Sequence, residues 1–105
     1  SSDIDSEQML LGILNTNIDG KEVWLYISEA KDNDYDILFD KLEVYFSSLP
    51  YHLNYRLQIN EEGRLFSKTF FTSKGSFTIT PSTTYSFPSK VYIGNKEVIF
   101  SNILT

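Results

Sequence analysis

Asp32, Asp34, Asp36, Asp40 and Glu43 stand at positions 1, 3, 5, 9 and 12 counted from Asp32. That is the spacing with which an EF-hand loop surrounds calcium with carboxylate oxygens. Position 6, where the loop turns sharply on a Gly, is Ile37, and Leu38, Phe39 and Leu42 belong to the apolar stripe of a predicted helix. Asp32, Asp34, Asp36 and Glu43 thus remain only as a calcium set at odds with its own surroundings, and no metal or cofactor is expected. An acidic helix start accounts for the same residues, because the exposed N–H groups there favour negative charge.

Other reactive side chains are sparse. His52 is the one imidazole and falls on the polar face of a predicted strand. Ser47 and Ser48 fall at a predicted helix end, where Ser is routine. There is no Cys, hence no thiolate nucleophile or disulfide framework. Neither a GxSxG elbow nor an HExxH zinc motif occurs. No catalytic residue is assigned, and a non-enzymatic role is expected.

Binding chemistry is better represented. Residues 1–43 hold 11 of the 14 acidic residues and 3 of the 9 basic ones, a balance of −8 against +3 for the remainder and −5 overall. Such a first half repels a phosphate backbone, so binding of double-stranded nucleic acid is not expected. A basic protein is the partner that the charge suits. The expected partner surface combines Glu29, Asp32, Asp34, Asp36, Asp40 and Glu43 with an aromatic pair, Phe66 and Phe70. On a strand these two lie on the face opposite Leu65 and Phe71, and one of the two pairs is surplus to a single core face. The alternative is a carbohydrate or single-stranded nucleic acid bound on Tyr55, Arg56, Phe66, Lys68 and Tyr85, where bases interleave with aromatics.

These residues need a scaffold. With 105 residues, 41% hydrophobic and 22% charged, the chain fits one domain, frayed over residues 1–7. Tyr35, Leu38, Phe39, Leu42, Tyr45, Phe46 and Leu49 follow the i, i+3, i+4, i+7 rule and predict an amphipathic helix over about 34–49. Residues 9–17 and 21–28 flank Asp19-Gly20, a pair suited to a type I′ turn, and predict a hairpin. From His52 onward, Leu53, Tyr55, Leu57 and Ile59 alternate with polar residues as in a strand with one wet face. Turns at Asn60–Gly63 and Lys74-Gly75 lead to strands 64–72 and 77–80, with an irregular stretch at 82–89. Gly94-Asn95 then joins a last hairpin, 91–93 with 98–100, through a type II′ turn.

The predicted architecture is α+β: an antiparallel sheet of five to seven strands, ordered ββα and then a β-meander, with one amphipathic helix on one face. That order resembles the start of longin or profilin-like trafficking domains over about two-thirds of the chain. The combination of a sheet and one helix is also similar to small acidic bacterial immunity proteins. These resemblances imply a non-catalytic role as an assembly adaptor or as an inhibitor. No apolar run reaches the roughly 18 residues of a membrane span. The compartment and the oligomeric state are not set by these features.

Overall fold

The computed structural model describes residues 6–48, 54–71, 84–85 and 88–104. The order is α1 (Ser6–Leu14), β1 (Asn17–Ile18), β2 (Lys21–Glu22), α2 (Val23–Glu29), α3 (Asp34–Ser47), β3 (Asn54–Glu61), β4 (Arg64–Phe71), β5 (Thr84–Tyr85), β6 (Ser89–Ile93) and β7 (Lys96–Leu104). The architecture is α+β with antiparallel pairing throughout.

The main sheet runs β4-β3-β7, and β6 and β5 share the far edge of β7. Its hairpin turns follow from residues that accept positive φ. Glu62 and Gly63 (φ 50° and 81°) close β3–β4 as type I′, and Gly94 (φ 63°) opens the β6–β7 turn as type II′. Along β3, Tyr55, Leu57 and Ile59 are buried while Asn54, Arg56 and Gln58 are half-buried on the other side. That is the alternation the sequence predicts for this stretch. The predicted start at His52 and Leu53, the turn at Lys74-Gly75 and the strand 77–80 lie outside the described residues.

The N-terminal third differs from the expected hairpin. Asp19 and Gly20 (φ 54° and 86°) do make the I′ turn, but only Asn17–Ile18 and Lys21–Glu22 pair across it. Residues on either side are helical. In α1, Leu10, Ile13 and Leu14 are buried, an i, i+3, i+4 set. In α2 it is Val23 and Ile27 that are buried, one helical turn apart, with Ala30 continuing the series just past the helix end. The chain therefore opens αββαα, and the order shared with longin or profilin-like domains is absent.

Three helices cover one face of the sheet. Helix α3 lies along β4 and runs in the same direction: Tyr35 stacks on Phe66 with ring centroids 4.3 Å apart, and Phe46 meets Phe70 at 5.0 Å. Helices α1 and α2 occupy the β6–β7 half. The core between the layers holds Tyr35, Leu38, Phe39, Leu42 and Phe46 of the predicted stripe against Tyr55, Leu57, Ile59, Phe70, Val98 and Phe100. Tyr45 is half-buried, and Leu49 lies outside the described residues.

Candidate functional site

The acidic residues of the predicted partner surface sit on α2, α3 and the loop between them, and their environments differ. Asp32 takes a positive φ of 48° and pairs with Arg64 at 2.6 Å. The carboxylate of Asp34 accepts the Lys31 N–H at 3.0 Å, which holds the loop against the helix start; Asn33 is the N-cap and makes no side-chain cap bond. Glu29 pairs with Lys21 at 3.2 Å and Glu43 with Lys68 at 2.9 Å. Asp36 and Asp40 are exposed and have no ion pair among the described residues.

Helical geometry sorts these groups onto flanks. At 3.6 residues per turn, Asp36, Asp40, Glu43 and Ser47 share one side of α3, whereas Asp34, Lys41 and Tyr45 share the other. The Glu43–Lys68 pair ties the first flank to β4. Lys41, which pairs with Asp19 of the β1–β2 turn, ties the second to the N-terminal elements. Between the flanks, Ile37 and Val44 stand in solvent, 55% and 71% exposed.

The calcium set is not brought together. Asp32 is directed to Arg64, Asp34 to its own loop and Glu43 to Lys68. Among the described residues no three His, Cys, Asp or Glu side chains converge as metal ligands. The helix stripe accounts for this, because Leu38, Phe39 and Leu42 are buried and a calcium loop would have to unwind them.

The aromatic part of the predicted surface is corrected as well. Phe70 is 1% exposed, and Phe66 is half-buried with the Arg64 guanidinium 5.1 Å above its ring. Both face the helices because β4 pairs Phe70 with Tyr55 and Phe66 with Ile59, and opposite residues share a face. Leu65, on the other face of β4, is exposed. The alternative ligand platform is dispersed too. Tyr55 is buried between Phe46 and Phe100, while Arg56 points to the opposite face and Lys68 is held by Glu43. The Tyr85 side chain lies outside the described residues.

Two features went unseen in the sequence. Lys96 is buried, and its ammonium donates to the Ile27 and Ala30 carbonyls at 2.6 and 2.7 Å, beside Glu61 at 3.8 Å. It thereby satisfies acceptors left over at the end of α2. Above it, the Tyr35 hydroxyl donates to Glu61 at 2.8 Å. Burial first, then that hydrogen bond and the Glu61 charge, raises the Tyr35 phenol well above its ordinary 10. Every polar tip in this Tyr35–Glu61–Lys96 group is engaged with the protein, which makes it a clamp between α2, α3 and the sheet. The second feature is an open depression of about 290 Å³, lined by Lys21, Tyr26, Glu29, Ala30, Asp34 and Ile37. Its rim charges are already paired or bonded.

No protein-family model matches the chain, and the comparisons with curated proteins and with solved structures returned no match either.

Proposed function

We propose that this chain is a non-catalytic protein-binding domain whose α3 helix receives a basic protein partner. The observation that carries this reading is Asp36 and Asp40, exposed and without ion pairs among the described residues, beside exposed Ile37 and Val44. Carboxylates that only solubilise a helix need no apolar neighbours, whereas docking surfaces combine steering charge with apolar contact area. Of the two finer versions, an inhibitor masking a basic enzyme or toxin suits the charge. The adaptor version loses its support with the element order that suggested it.

The test is affinity capture from an extract of the source organism, at low and high salt, with the native chain and with Asp36→Lys/Asp40→Lys as parallel baits. A basic partner in stoichiometric amount, lost at high salt and lost from the double variant, supports the reading. A partner retained equally by the variant overturns it.

A further inference from the structure

Helix α2 ends close to where α3 begins, and the corner between them leaves the open depression of about 290 Å³. The chain leaves α2 at Ala30 in extended backbone (φ −67°, ψ 143°) and re-enters a helix at Asp34. Each helix gives the corner two side chains three residues apart, and such pairs share a helix face. Tyr26 and Glu29 form the α2 wall, Asp34 and Ile37 the α3 wall, and Ala30 lies at the corner itself. Each wall thus offers one apolar surface and one carboxylate.

The chain already places a cation there. Lys21 reaches in from β2, its ammonium 3.2 Å from the Glu29 carboxylate and 4.9 Å from the centre of the Tyr26 ring. The Lys21 and Glu29 side chains are 37% and 55% exposed, so exchanging this ammonium for another cation costs little. Asp34 accepts the Lys31 N–H, and a carboxylate has room for about four such bonds. The volume, about 290 Å³, falls just under the range of roughly 300–1,000 Å³ that encloses whole small molecules and suits one long side chain. The described residues that flank 49–53 and 72–83 lie at the other end of the layer. Ser48 follows the end of α3, Asn54 pairs with Phe71, and Thr84 pairs with Leu104, whereas Asp34 and Ile37 belong to the first turn of α3.

We infer that this corner is the socket for one arginine side chain of the partner, which displaces Lys21 and lies between Tyr26 and Ile37 with its guanidinium on Glu29 and Asp34. This rests on the reading of the partner as a basic protein that lands on α3, and it names the side chain that anchors it. Arginine fits better than lysine because its plane stacks on a ring, its fork engages carboxylates, and its stem covers apolar surface. The socket adjoins the exposed row, since Asp34, Ile37 and Asp40 follow one another in steps of three along α3. A cation held at Asp34 therefore brings the rest of a basic segment to Asp40 and Asp36. A second copy of this chain fits less well. Of its two arginines, Arg56 is half-buried in the sheet and Arg64 is paired with Asp32.

The probe is an acetylated, amidated peptide of three Arg-Gly repeats, titrated into the isotope-labelled chain by heteronuclear NMR at about 0.1 M salt, where screening acts over about 10 Å. Peptides with lysine, or with citrulline as the neutral isostere, in place of arginine are the controls. The largest shifts are expected at Tyr26, Glu29, Ala30 and Ile37. Glu29→Gln is expected to weaken binding roughly three- to tenfold, the scale of one charge-assisted bond at the surface. The lysine peptide binds roughly two- to fivefold more weakly, from the poorer stacking and the missing fork. Lys21→Gln empties the socket and tightens binding roughly threefold, the scale of one surface pair. Lys31→Gln, the same change of charge outside the lining, gains less than about half of that.

Shifts confined to Asp36, Asp40 and their neighbours, with Glu29→Gln without effect, overturn the socket and leave the acidic-surface reading standing. Equal gains from Lys21→Gln and Lys31→Gln show net charge alone at work and also overturn the socket. Equal binding of the citrulline peptide overturns both readings. No shift with the arginine peptide at about 10 mM, a concentration that detects even a contribution of a few kcal/mol, overturns the socket. Shifts at Tyr26 and Glu29 that survive Asp36→Asn/Asp40→Asn unchanged support the socket and remove those two carboxylates from the partner surface.

Discussion

Lys96 and Tyr35 are the residues whose surroundings leave least freedom. The Lys96 ammonium spends two donors on the carbonyls at the end of α2 and lies beside Glu61 and 5.3 Å from the Tyr35 ring centre. Replacing it by Met keeps the stem, strands two carbonyls and leaves half-buried Glu61 without its cation. Lys96→Met is expected to cost about 3 kcal/mol, read as a shift of the urea midpoint at unchanged slope. Tyr35 gives a pH signature. Its phenol ionises at higher pH in the folded chain than in the unfolded one, chiefly because it is buried. Its contribution is complete below the unfolded value near 10 and is lost as pH rises beyond it, since the unfolded state releases a proton that the native state retains. Denaturant titrations from pH 8 to 11 should show stability falling above pH 10 more steeply for the native chain than for Tyr35→Phe. Parallel curves would refute the role given to this hydroxyl. At neutral pH the same substitution should cost about 1 kcal/mol for the lost hydrogen bond.

Among the elements, β3, the turns at Asp19-Gly20 and Asn60–Gly63, the type II′ turn and α3 were legible in the sequence, for local reasons. Tyr55, Leu57 and Ile59 alternate with polar residues, and a glycine sits in each turn. Residues 23–28 were not, because Val-Trp-Leu-Tyr-Ile is apolar at every position and fits period 2 and period 3.6 alike. What decides it is tertiary: Val23, Ile27 and Ala30 face the core together, and Lys96, far along the chain, completes the helix end. The same holds for the candidate site. The acidic row was legible as charge, but Glu29, Asp32 and Glu43 take partners from β2 and β4, and only pairing across the fold leaves Asp36 and Asp40 distinct. Alternation places Phe66 and Phe70 on the face opposite Leu65 and Phe71, but it does not say which face of β4 the helices cover. Gly12 lies exposed in α1, and a Cβ there meets nothing within 4 Å. Gly12→Ala should stabilise the chain by about 0.5–1 kcal/mol, measured by chemical denaturation. A loss of stability would count against helix at this position.

For the molecule as a whole, salt separates what the charges do for the fold from what they do for association. The pairs Lys21–Glu29, Arg64–Asp32 and Lys68–Glu43 lie at the surface, where such pairs contribute about 0–1 kcal/mol each and are screened. Opposing their loss, salt also screens the self-repulsion of a chain with net charge −5. Raising sodium chloride from about 0.02 M to 0.5 M, which shortens the screening length from roughly 20 Å to about 4 Å, is therefore expected to move unfolding stability by less than about 1 kcal/mol. A basic partner steered to α3 should respond otherwise, with an association rate that falls by roughly tenfold or more over the same range while the dissociation rate changes little. Stopped-flow association and thermal unfolding in matched buffers give both numbers from one sample. If stability falls as steeply as the association rate, the carboxylates of α3 hold the fold together and their exposure is no guide to a partner. If the rate alone falls, Asp36 and Asp40 are free to act outward because their neighbours Asp32 and Glu43 already neutralise the cations of β4.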